Sequence, residues 1–395
     1  MVEENKTPSR REISAHGVSR REFLRASGIG AAAVAGVAGI KGLYAPSPVS
    51  ASSEAQYESD PHAEHGDSGT VGQVDHDANE FHPHEILTDF DYGEVVEEDG
   101  RIVRKWEIVA LDKEFEIAPG IYFPGWLYGS GTSAASQRAG HIVGQCPGPT
   151  LRCVEGELLQ IKFTNASSHP HTMHFHGIHS AFMDGIPSAG RGNIEPGESF
   201  VYEFEAKPFG CHLYHCHALP LKRHVHKGLY GAFIVDPDPE KYSGEEKELA
   251  KGRNHQYAES EDFQEMVMVM NGFDTNFDGD NEVYAANSIA FAYGMDSPIL
   301  LDTSKRQRLY LINITEFDPI NSMHIHANFF DYYDHGTTLE PTLKIVDTVM
   351  QCQAQRGILE FTFENFAPGL YMFHAHQSEF AELGWMGFFQ VGGES

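Results

Sequence analysis

The sequence predicts an all-β chain made of two Greek-key β-sandwich domains, and three observations carry that prediction. Short segments of alternating, β-branched and aromatic residues recur between Gly/Pro turns such as Pro147-Gly-Pro149 and Glu195-Pro-Gly197. Helical periodicity is scarce, apart from a short stretch near 243–251. Finally, two histidine-bearing strings occur twice in the same order. His171-Thr-Met-His174-Phe-His176 returns as Asn321-Ser-Met-His324-Ile-His326, and His215-Cys216-His217 returns as His374-Ala375-His376. The chain reads as an internal duplication whose halves have diverged at a few positions.

Its 395 residues suffice for two or three domains with sizeable cores. A formal net charge of -29 argues against nucleic acid or anionic lipid as a partner. At the start, Ser19-Arg20-Arg21-Glu22-Phe23-Leu24-Arg25 resembles a twin-arginine export signal. A weakly apolar Ala/Gly/Val stretch follows, and Val49-Ser50-Ala51 offers a small-residue cleavage site. Residues 1–51 are therefore expected to be a leader and the protein periplasmic or extracellular. The Gly/Ala content and Lys41 make this stretch a poor membrane span. Residues 52–101 are acidic and hold His62, His65, His76, His82 and His84. With few apolar residues to bury, they are expected to form a disordered or loosely docked arm.

The first domain is expected over 102–240, with strands at 102–109, 158–163, 200–204 and 231–235. A charged linker spans 241–262. The second domain, 263–395, repeats the scheme at 266–270, 308–314, 359–363 and 388–391. Asp274-Thr-Asn276-Phe-Asp278-Gly279 begins like a calcium loop, but Ala285 stands where the required Glu belongs, so a polar turn is expected. Cys146, Cys153, Cys211 and Cys352 allow two disulfides or four free thiols, and both readings stay open.

In a strand, residues i and i+2 share a face, so His-x-His aims two imidazoles into one space. The pairs are His174/His176, His215/His217, His324/His326 and His374/His376. Eight imidazoles suit a cluster of borderline metal ions, copper above all. A mononuclear blue copper site needs two His and one Cys thiolate, with a weak axial ligand. Cys216 supplies the thiolate and His171 one imidazole; His224 is preferred to His226 as the other because its spacing of five places Leu229 at the axial position. Leu cannot ligate, which destabilises Cu(II) more than Cu(I) and predicts a raised potential. Met183 is the lesser axial candidate. In the second half Asn321, Ala375, Phe380 and Trp385 stand at the corresponding places, so no mononuclear site is expected there.

Over residues 100–395 this pattern resembles the multicopper oxidases, in particular a two-domain branch with its blue copper in the first domain. The resemblance implies two cupredoxin folds, a type 1 copper, and a type 2/type 3 trinuclear cluster between the first domain of one subunit and the second domain of its neighbour in a homotrimer. It also implies oxidation of phenolic or aromatic donors or metal ions, in a laccase-like reaction with O2 as acceptor. Asp184, after the first His-x-His-Gly, matches a proton-delivering residue of the family, with turn capping as the plainer role; Glu379 is a weaker candidate, and His179 is expected to orient a ligand. Copper nitrite reductase is the nearest rival, but its catalytic copper needs only three His. A copper-tolerance protein is the other alternative.

Overall fold

A computed structural model of the protein describes residues 73–392. The expected leader lies outside the described residues, as do residues 52–72. Two sandwiches follow one another. In the first, one sheet runs in the order Phe90–Asp91, Gly148–Val154, Tyr230–Asp236, Gly210–His215 and His174–Phe175. The facing sheet is Glu94–Glu98, Arg101–Ala118, Leu158–Asn165 and Ser199–Glu205, with Ile121–Ser130 paired to the long second strand. That strand shows the alternation read from sequence. Trp106, Ile108 and Ala110 are buried while Glu107 is exposed.

The second sandwich pairs a sheet ordered Val283–Ala286, Phe263–Phe273, Arg306–Asn313, Arg356–Phe361, Phe330–Asp334 and Leu343–Val346 with one ordered Ile299–Leu301, Met386–Val391, Gly369–His374, Ile320–Ile325 and Thr348–Cys352. Equivalent strand pairs are parallel in both halves: Arg101–Ala118 with Leu158–Asn165, and Phe263–Phe273 with Arg306–Asn313. The duplication extends to register. His174 pairs with His215 in one domain, and His324 pairs with His374 in the other.

The arm requires a correction. Residues 73–101 are not loosely attached: they form helices His76–Asn79 and Pro83–Thr88 and strands Phe90–Asp91 and Glu94–Glu98. Phe81, Ile86 and Leu87 are buried in a hydrophobic cluster that spans both domains. Asn79 exchanges hydrogen bonds with the backbone of Glu116, and Tyr293 Oη of the second domain donates to Pro83 O at 2.9 Å. Three buried apolar side chains contribute roughly 1.5–3 kcal/mol each, enough to dock a segment whose average composition is polar. His82 and His84 are spent on this packing: His82 caps the second helix through the His84 amide, and His84 lies edge-on to Tyr293.

The connection between domains is partly helical, with Gly244–Gly252 as its main element. Nearby, charges cross between the domains. Glu265 accepts from Arg152 of the first domain at 2.6 Å and from Arg308 of the second at 3.2 Å. Arg152 also pairs with Asp236, and Arg308 with Glu360. Glu265 Oε1 accepts a further bond from Tyr310 at 2.8 Å. Burial alone would raise the Glu265 carboxyl, but Arg152 and Arg308 override it and hold it at about 2. Among the described residues every cysteine is a free thiol, buried except for Cys352.

Candidate metal centre

Strand Gly210–His215 ends at the string His215-Cys216-His217, and helix Leu221–His226 then returns His224 toward it. His171 comes from the segment leading into His174–Phe175. His171, Cys216 and His224 are buried, and their ligand atoms lie within 4.8 Å of one another. Cys216 Sγ is 3.3 Å from His224 Nδ1 and 3.9 Å from His171 Nδ1, and the two nitrogens are 3.1 Å apart. Burial and the neighbouring His224 push His171 down to about 3, and burial with the charges of His169 and Arg223 pushes His224 down to about 4. Both rings thus stay neutral and keep a lone pair for a metal. The Cys216 thiol is pushed up to about 11 by burial, so proton loss there is coupled to arrival of a cation.

Backbone amides of Thr172 and Ala218 approach Sγ at 3.4 and 3.5 Å. Leu229 is fully buried, and its carbonyl accepts from the Cys216 amide at 2.9 Å. Met183 is engaged elsewhere, its sulfur accepting from Glu203 N at 3.4 Å. His226 is not in the trio: its Nε2 accepts from the Asp274 amide. Sequence reasoning missed the support behind His171. Its Nε2 meets Ser167 Oγ at 2.9 Å, and Ser167 donates to Asp112 at 2.7 Å. Trp126 covers the trio, its ring 5.2 Å from His171 and 4.8 Å from His224.

The His-x-His pairs form two separate sets. In the first domain the ligand atoms of His174, His176 and His215 converge, and the His217 ring lies 5.3 Å from that of His174. His217 Nδ1 is buried and has no hydrogen-bond partner, as a nitrogen meant for a metal would be. In the second domain His324, His326 and His374 converge, with the His376 ring 5.4 Å from His324. Among the described residues, every ring contact and hydrogen bond linking these eight histidines stays within one set of four. Both sets reach the surface; His326 and His376 are exposed. Large exposed apolar side chains stand nearby in sequence, Ile178, Phe182 and Leu219 in the first domain and Phe329 in the second, where exposed Met350 also pairs with Ser322 across the strands.

The supports are duplicated as well. His174 Nδ1 donates to Asp184 O at 2.7 Å, with the Asp184 carboxylate 3.3 Å away, and His179 Nε2 lies 3.8 Å from that carboxylate. His324 Nδ1 lies 2.8 Å from Asp347 O, a counterpart that the sequence did not reveal. His215 Nδ1 faces Cys216 O, as His374 Nδ1 faces Ala375 O. The amide of His217 donates to Thr172 Oγ1, and that of His376 to Ser322 Oγ. Glu379 lies exposed in the first turn of helix Ser378–Glu382.

The second domain keeps the frame of the thiolate site and fills its interior. Ala375 N donates to Trp385 O as Cys216 N donates to Leu229 O, and Trp385 N reaches Phe380 O as Leu229 N reaches His224 O. Phe380 and Trp385 therefore stand at the places of His224 and Leu229. Asn321 bonds Thr315 where His171 meets Ser167. Phe380 stacks on Tyr284 at 4.0 Å, and Trp385 Nε1 donates to Ser322 O at 3.1 Å.

The chemistry of these donors fits copper: a thiolate with two neutral imidazoles in one place, and imidazoles alone in two others. Family models described as multicopper oxidase match residues 129–240 and 264–395. A crystal structure of a multicopper oxidase is 49% identical, covers 81% of this chain and all of its own, and superposes with a TM-score of 0.69. Copper resistance protein A of Escherichia coli is 36% identical over 29% of this chain, and multicopper oxidase MCE of Talaromyces pinophilus 40% over 24%. The aligned parts span 19% and 16% of those two relatives. A copper nitrite reductase from Nitrosomonas europaea, 19% identical over 74% of this chain and 95% of its own with a TM-score of 0.57, shares the fold. With both halves matched and the ligand strings intact, the chain belongs to the multicopper oxidases.

Proposed function

We propose that this protein is a laccase-like oxidase. It withdraws electrons singly from phenolic or aromatic donors, or from metal ions, and uses them to reduce O2 to water. The observation that carries this is Cys216, flanked covalently by His215 and His217. Copper bound at His171, Cys216 and His224 would supply a one-electron acceptor, and copper held by the eight paired histidines the four-electron reduction of O2. The chain supplies the rest. Cys216 shares its backbone with two cluster histidines, so an electron has a short covalent path inward. Leu229, fully buried behind Cys216, would offer no donor atom to a metal held there. Asp184 fixes the His174 ring and is one of two carboxylates proposed to deliver the protons that O2 reduction consumes; Glu379 is the other.

The separation of the two histidine sets supports a homotrimer in which each cluster joins the first domain of one subunit to the second domain of the next. A heterologous interface of this kind closes into a ring, and the exposed apolar residues beside each set give it something to bury. The string at Ser19–Arg25 supports export by the twin-arginine route, to a periplasmic or extracellular site. No described helix is long and apolar enough to cross a membrane. Oxygen uptake and nitrite reduction, measured side by side on copper-loaded protein, test the reading. Uptake of O2 with a phenolic donor is expected; nitrite reduction with negligible O2 uptake would replace it with nitrite reductase activity, and stoichiometric copper binding without turnover with a copper-tolerance role.

A further inference from the structure

A cavity of about 660 Å³ opens beside helix Leu221–His226, the element that carries His224. Lys222, Arg223 and Lys227 line it on the first-domain side, and Phe277 and Phe317 on the other. The chain holds 57 acidic against 28 basic residues, yet three cations fall within six positions here. Among the described residues none of the three forms an ion pair; Lys227 Nζ donates instead to Pro124 O at 2.6 Å. Two carboxylates also line the cavity, but both are turned onto their own loop. Asp274 accepts from the amides of Asp278 and Gly279 at 3.1 and 2.8 Å, and Asp278 accepts from that of Asp280 at 3.1 Å.

The cations rest on aromatic faces. Lys222 Nζ is 4.0 Å from the Phe317 centroid, Lys227 Nζ is 4.8 Å from that of Phe277, and the Arg223 guanidinium is 5.3 Å from the Trp126 ring that covers His171 and His224. Phe277 is 52% exposed, a large ring on the cavity wall. An excess of three cations over two loop-bound carboxylates, exposed aromatic surface and closeness to the thiolate site together define a ligand: a flat aromatic molecule carrying an anionic group.

We infer that this cavity binds the electron donor, and that the donor class it favours is a phenol bearing a carboxylate, selected by Lys222, Arg223 and Lys227. The inference rests on the oxidase reading for its redox step. Each donor loses one electron and its phenolic proton and leaves as a phenoxyl radical. The electron passes to the protein's own accepting site and the proton to solvent. Four such oxidations match one O2 and four protons reduced to two waters.

The test uses two matched pairs on the copper-loaded, full-length protein. Binding is read by calorimetry with redox-inert para-anisate and its methyl ester, and turnover as kcat/KM for ferulate against methyl ferulate. Para-anisate is expected to bind more tightly than its ester, and ferulate to be the better donor through a lower KM. Lys222→Gln removes one charge-assisted contact from an exposed position and should weaken para-anisate binding and lower the ferulate-to-ester ratio by about tenfold each. Equal binding of acid and ester, or a ratio unmoved by both Lys222→Gln and Lys227→Gln, would overturn the inference and leave the oxidase reading standing. Selective para-anisate binding with no oxidation of either phenol would sink the oxidase reading and uphold the site.

Discussion

Arg356, on a second-domain strand, reaches His176 of the first domain, its Nη1 3.3 Å from the ring Nδ1. The same guanidinium donates through Nε to Cys211 O at 3.1 Å and lies 3.3 Å from His212 through Nη2. One side chain thus holds both a cluster histidine and the strand that ends in His215. Burial, then His215 and the Arg356 charge, push His176 down to about 2, which keeps it neutral.

Arg356→Gln should release the Cys211 carbonyl and so loosen the strand that ends in His215, lowering copper affinity or oxidase activity by about 10–100-fold, the usual cost of losing a group that positions a metal ligand. Copper retained against a chelator, compared with turnover, measures it. Parent-like values in both would show that the contact is incidental.

Cys216→Ser should abolish the blue absorption and donor oxidation while leaving the eight paired histidines in place. Leu229→Met should keep the colour but lower the reduction potential, because a thioether favours Cu(II). A potentiometric titration followed through the visible band checks the direction; a potential equal to or above the parent's would remove Leu229 from the axial place.

Subunit complementation tests the ring. His217→Ala disables the first-domain set and His376→Ala the second. Each alone should be inactive. After subunit exchange, about a quarter of the clusters in randomly mixed trimers would join two intact sets, and activity should return in proportion. A cluster completed within one chain would give no recovery.

Glu265→Gln should destabilise the chain by about 3–5 kcal/mol, since Arg152 and Arg308 would lose a buried counter-charge. Acid acts through the same group. The folded-state carboxyl is depressed to about 2 from its ordinary 4.5, so its contribution is fully present above 4.5 and is lost as pH falls toward 2. Chemical denaturation from pH 6 to about 2 should show this slope in the parent and a shallower one in the variant.

The candidate copper ligands were legible because strand alternation and duplication both leave local marks: each pair is two residues apart, and each string has a copy. Even the vacated site could be placed, since the spacing that aligns Phe380 with His224 is preserved. Partners brought together by the fold left no such mark. Arg356 is 180 residues from His176, and Asp347 lies 23 from His324, each without a motif of its own. The segment 73–101 was misjudged because docking needs only a few well-placed side chains, which a composition average over fifty residues hides.

Phe380 and Trp385 do more than fill the space that His224 and Leu229 occupy in the first domain. Where those rings stand, the packing of the second domain is set by its own sequence, whatever the copper supply. The first domain, with candidate ligands in the same space, would gain stability there as metal arrives. In a copper-poor compartment the interiors of the two halves would then differ in resilience: that of the second would stay packed, and that of the first would register how much copper had arrived.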